Sequence, residues 1–166
     1  MSIFFIIVCV IARILPHPAN FTPLIAVALF GGVYLTKKQA YIVPIIAMLV
    51  SDFFIGFDSL PMRISVYGSI LFGVLLGFWI KKNKSVGSVI SASLLSSIIF
   101  FTITNFSVWA YGTMYTKSLS GLINCYIMAI PFFKNTLLGD LFYSGVFFGG
   151  YEFVKIFARG VSAQKA

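Results

Sequence analysis

Four acidic residues occur in the 166-residue chain, Asp52, Asp58, Asp140 and Glu152, and two of them interrupt long apolar runs. Asp52 ends the stretch Ile45-Ile46-Ala47-Met48-Leu49-Val50-Ser51, and Asp140 lies in Leu137-Leu138-Gly139-Asp140-Leu141-Phe142. A carboxylate inside a spanning helix costs about 2.5–3.5 kcal/mol on insertion scales, so it is retained where it binds or pairs with something. The other polar groups are of the kind that recognise a small solute. Arg13 would meet an anionic group, and the aspartates would meet donors or a cation. Amides would read polar edges, and an aromatic ring would stack. On this chemistry the candidate substrate contacts are Arg13, His17, Asn20, Asp52, Asn105, Trp109, Asn135 and Asp140. The same residues admit a plainer role. Arg13 or Arg63 pairing with Asp52 or Asp140 would lock helix register without any ligand. His17 between two prolines would tie its own loop, and Trp109, Tyr111 and Tyr115 would anchor the chain at a bilayer interface.

The elements that must hold these residues are set by composition. The chain is 60% hydrophobic and 10% charged, against roughly 25% charged for a soluble domain, which excludes a water-soluble fold. The runs lack the ten-residue alternation of an outer-membrane barrel, so the expected fold is an all-α membrane protein. Six transmembrane helices are expected over residues 2–15, 21–35, 39–56, 60–80, 86–110 and 135–157, in a single membrane domain covering 1–166. Residues 119–131 are too few for a span and read as a short re-entrant or interfacial helix between helices 5 and 6.

Basic residues then orient the chain. With six spans and a cytoplasmic N-terminus, Lys37, Lys38, Lys81, Lys82, Lys84, Lys155, Arg159 and Lys165 fall inside, and only Arg13, Arg63, Lys117 and Lys134 outside. Making 119–131 a seventh span removes that bias, so both termini are expected in the cytoplasm. The candidate residues then gather toward the outer side. The first two segments are short for a perpendicular span, which is tolerable if the proline-rich loop at 16–20 lines a cavity, since lipid satisfies no backbone hydrogen bonds. No basic residue precedes the apolar core at 3–11, so this reads as a retained first helix and not a cleaved signal.

Small residues recur at intervals of four: Ala28 and Gly32, Gly73 and Gly77, Gly145 and Gly149. Such faces let helices approach closely, within this bundle or against a partner subunit. Cys9 and Cys125 lack CxxC spacing, and a single histidine leaves no metal cluster, so no cofactor or metal is expected. There is no GxxxxGK phosphate loop, no HExxH and no GxSxG, so the chain is not expected to be an enzyme. The net charge of +8 lies in short clusters between apolar runs, as topology signals do, and does not point to nucleic acid.

One stretch has a recognisable pattern. Residues 13–23, reading Arg-Ile-Leu-Pro-His-Pro-Ala-Asn-Phe-Thr-Pro, together with Ala28 to Gly32, resemble a group of small uncharacterised bacterial membrane proteins. Pro44 through Asp52 and Gly56, and residues 130–140, continue the likeness. That group in turn is similar in layout to the substrate-binding S components of energy-coupling-factor vitamin transporters. The resemblance implies an inner-membrane protein that captures a vitamin or small nutrient from outside. It also implies docking to a membrane T subunit served by two cytoplasmic ATPases. The Met-His N-terminus of nickel and cobalt S subunits is absent, so metal is not the expected cargo. Two other classes stay open: a structural or assembly subunit with no solute, and an intramembrane lipid-acting enzyme with Asp52 and Asp140 as acid and base.

Overall fold

The computed structural model of the protein describes residues 2–163, and the described residues form six helices and no strand. These are α1 (Ser2–Ile14), α2 (Leu24–Tyr34), α3 (Lys37–Ile55), α4 (Leu60–Lys82), α5 (Val86–Tyr111) and α6 (Leu119–Ala163). Lys165, counted among the basic residues above, lies outside the described residues.

Four helices, α3 to α6, are long and apolar enough to cross a membrane. The other two are apolar but short. With 13 and 11 residues, α1 and α2 reach only about 20 and 16 Å, against a hydrocarbon core of about 30 Å. The surface fits lipid: Phe53, Phe54, Val86 and Phe153 point outward. The interior, by contrast, holds Ser51, Asp52, Ser93, Ser97, Thr136 and Asp140. These polar groups sit beside an apolar core, so the departure from a soluble protein lies in the apolar surface.

A helix that is apolar on every side must be surrounded, and α2 is. Leu24 to Val33 are all buried, with α3, α4, α5 and α6 packed around them. Its closest neighbour is α4, and glycine makes the approach possible. A Cβ on Gly32 would lie 2.6 Å from the Val74 carbonyl oxygen and 2.8 Å from Gly77 Cα, while one on Gly73 would lie 3.2 Å from Ala28 Cβ. The four-residue spacing of Ala28/Gly32 and Gly73/Gly77 is therefore spent inside the chain.

Local signals set the helix ends. Thr36 and Gln39 form a capping box at the start of α3, and Ser85 accepts a bond from the Ser88 amide at the start of α5. Gly56 closes α3 at φ 112°, a backbone state natural only to glycine.

At one point the chain departs from the expected segmentation. Residues 119–131 are not a separate interfacial helix; they are the first turns of α6, which runs 45 residues through Pro131. Proline removes one helical hydrogen bond, but packing against α5 holds the turns on either side. Tyr126 donates to the Thr102 carbonyl (2.7 Å), Cys125 Sγ lies 3.4 Å from the Asn105 carbonyl, and Phe133 packs on Phe101. Ser97–Asp140 and Ser93–Ser144 contacts continue the antiparallel pairing further along both helices. The loop joining them is stitched to the end of α5: Trp109 Nε1 donates to Thr116, and Lys117 Nζ to the carbonyls of Trp109 and Gly112.

Candidate functional site

A cavity of about 320 Å³ lies at the end of the bundle where α1, α3 and α5 finish and α4 begins. Every helix contributes to its wall. The end of α1 supplies Arg13; the loop to α2 supplies His17, Asn20 and Thr22; α3 supplies Met48 and Asp52. From α4 come Arg63, Val66, Tyr67 and Ile70, from α5 Phe100, and from α6 Thr136 and Asp140. Helical spacing explains each set. Arg63, Val66, Tyr67 and Ile70 fall at i, i+3, i+4 and i+7, and Met48/Asp52 and Thr136/Asp140 at i, i+4, so each set lies on one face. The loop is shaped by Pro16, Pro18 and Pro23, and by Asn20 at φ 65°. His17 Nδ1 lies 2.6 Å from the Leu15 carbonyl, within its own loop.

The charges fall into two groups. The first is internally matched. Arg13 Nη1 lies 2.8 Å from Asp52 Oδ1, and it also donates to Ser51 Oγ at 2.6 Å and reaches Met48 Sδ. Tyr67 donates to the other Asp52 oxygen at 2.6 Å. Both side chains are largely buried, 17% and 8% exposed, so each charge depends on the other. This arrangement ties α1, α3 and α4 together.

The second group is unmatched. Asp140 is 2% exposed and receives one bond, from Ser97 Oγ at 2.6 Å. Among the described residues its carboxylate meets no cation, since the ion pairs are Arg13–Asp52 and Lys155–Glu152. Arg63 Nε is buried and has no acceptor; its guanidinium sits 5.0 Å from the Phe57 ring centroid. The cavity therefore carries a carboxylate and a guanidinium whose protein partners are incomplete. No cluster of three or more His, Cys, Asp or Glu suited to a metal occurs among the described residues, and Cys9 and Cys125 are free and buried.

Of the eight candidates drawn from the sequence, the structure brings five together: Arg13, His17, Asn20, Asp52 and Asp140. Asn105, Trp109 and Asn135 lie outside the lining. Asn105 donates to Phe101 on its own helix, and Trp109 holds the 112–118 loop. Asn105 lies beside the first turns of α6, where Cys125 meets its carbonyl, and Trp109 is engaged by the loop that precedes that helix. Asn135 is displaced by one position: the next residue, Thr136, faces the cavity, about 100° further around the helix. Sequence reasoning missed Tyr67 and Ser97, which bind the two buried aspartates. Tyr67 was detectable one turn after Arg63; Ser97 is one of many serines in α5, and nothing distinguishes it.

The long apolar helices and the cavity lined with charges of both signs are those of a helical integral membrane protein with a polar site at one end. Over residues 1–162 the chain matches the family of unknown function DUF6580, and it belongs to that family. No curated protein and no solved structure matches it.

Proposed function

We propose that the protein is the solute-binding membrane subunit of a nutrient-uptake system, of the S-component type, and that the cavity around Asp140 and Arg63 is its solute site. The observation that carries this reading is a buried Asp140 whose one side-chain partner among the described residues is Ser97, on the same cavity as an Arg63 Nε that has no acceptor. A buried polar atom without a partner, as Arg63 Nε is, costs about 1–3 kcal/mol. A buried Asp140 with Ser97 alone as its partner leaves acceptor capacity on the same cavity, which a ligand would fill. A solute with an anionic group for Arg63 and a protonated amine or hydroxyl for Asp140 meets both needs. The distribution of lysines favours a cavity facing outward, with Lys37, Lys38, Lys81, Lys82 and Lys84 toward the cytoplasm. No nucleotide-binding loop is present in the sequence, so uphill uptake would draw on a membrane T subunit with ATPases, or on an ion gradient.

The structural or assembly reading has its own support in the Arg13–Asp52–Tyr67 cluster, which is complete without a ligand. The lipid-acting enzyme has less, because Asp52 is held by two partners and is poorly placed to exchange protons. Mass spectrometry of the protein purified in mild detergent from its native membranes separates the readings. A stoichiometric small molecule bearing both an acidic and a donor group, or co-purifying ATPases, is the expected result. A solitary protein without ligand, from membranes in which other complexes survive, would overturn it in favour of the assembly role.

A further inference from the structure

A second concavity, independent of the polar cavity, lies toward the opposite end of the bundle. Ser93 and Ser144 join α5 to α6 at 2.9 Å. A groove of about 650 Å³ is lined by both helices from that pair toward the lysine-rich α4–α5 turn. Its walls are apolar, with Val86, Val89 and Ile90 on one side and Phe148 on the other. Gly145 and Gly149 leave the α6 wall bare: a Cβ on either would meet nothing within 4 Å. These glycines thus differ from Gly32 and Gly77, since among the described residues no helix occupies the space they open.

The groove has a defined length and a charged mouth. Its α6 wall runs from Leu141 to Glu152, about 16 Å at 1.5 Å per residue, which matches half of a hydrocarbon core of about 30 Å. A spanning helix from a partner needs the whole core, so half a core suits it poorly. One acyl chain fills one leaflet. At the mouth, Glu152 is already engaged, accepting from Tyr34 (2.9 Å) and Lys155 (3.4 Å). Lys84 Nζ lies over the Tyr34 ring at 5.0 Å, and Lys81 and Lys82 are exposed one turn before it. Among the described residues none of these three lysines is in an ion pair.

We infer that the α5–α6 groove is a binding site for an anionic glycerophospholipid, one acyl chain lying between Val89, Phe148 and the two glycines and the phosphate meeting Lys84 and its neighbours. Basic mouths on intramembrane grooves are the sites at which anionic head groups are held in preference to zwitterionic ones.

The test uses the full chain, delipidated in a neutral detergent, titrated with phosphatidylglycerol or with phosphatidylcholine of the same acyl chains. Bound lipid is counted by native mass spectrometry, and melting temperature is followed in parallel. Phosphatidylglycerol is expected to bind more tightly than phosphatidylcholine. Lys84→Gln should weaken the first about fivefold and the second little. Gly149→Leu, which fills open space and should leave the ligand-free melting temperature near wild type, is expected to abolish retention of both. Should Gly149→Leu misfold, Gly145→Leu is the equivalent plug. Equal binding of the two lipids, or undiminished phosphatidylglycerol retention in a folded plugged variant, would overturn the site.

Discussion

Arg13 and Arg63 share a cavity but should respond to substitution in opposite ways. Arg13→Ala leaves Asp52 buried with Tyr67 as its remaining partner, and breaking such a pair costs about 3–5 kcal/mol. The melting temperature in detergent should fall sharply, whereas Arg13→Met combined with Asp52→Leu should recover much of the loss. Among the described residues Arg63 is in no ion pair, so Arg63→Met removes a buried nitrogen without an acceptor and gives up only the cation's contact with the Phe57 ring. The ligand-free protein should therefore melt at or above the wild-type temperature, while solute-induced stabilisation disappears. A large drop in the ligand-free protein would show that Arg63 is structural. Asp140→Asn keeps an oxygen for Ser97, so the fold should survive and solute retention should fall about tenfold or more. Retention equal to wild type would remove Asp140 from the site.

The α2–α4 contact is the most demanding feature among the helices. Gly77→Leu places a side chain where a Cβ alone would lie 2.9 Å from Gly32 Cα, so the two backbones must separate. Overpacking of this kind costs about 1–3 kcal/mol even when side chains can yield, and here backbone is in the way. Gly68→Ala is the matched control in the same helix, since a Cβ there meets nothing within 4 Å, and it should be neutral or gain about 0.5–1 kcal/mol. Thermal unfolding of the two variants side by side checks the geometry; equal melting temperatures would contradict the close approach. At this scale the segmentation of the sequence went astray around Pro131. Residues 119–131, too few for a span, read as a helix apart from 135–157, yet α6 runs through Pro131 and packs on α5.

For the molecule as a whole, the testable consequence is sidedness. The cavity end and the lysine-rich end lie at opposite ends of the bundle, and the native Cys9 and Cys125 are buried, so an introduced cysteine should report cleanly. Lys117→Cys at the α5–α6 loop should be modified by a membrane-impermeant thiol reagent in intact cells, and Lys82→Cys only after permeabilisation. The reverse pattern would turn the cavity toward the cytoplasm and remove the uptake reading.

Composition and apolar run length were enough to determine an all-helical membrane protein and nearly all of its helices, because lipid allows only helices and closed barrels and the runs lack a barrel's alternation. Charge in an apolar run likewise marked Asp52 and Asp140 before any fold was known. Which cation met which carboxylate was decided only by tertiary structure. Arg13 and Asp52 are 39 positions apart, and their pairing depends on how α1 lies against α3. The same holds for the three candidates that lie outside the cavity lining. Whether Asn105 and Trp109 faced the cavity depended on what covered the end of α5, and the first turns of α6 and the loop before it pack there through contacts that leave no local trace in the sequence.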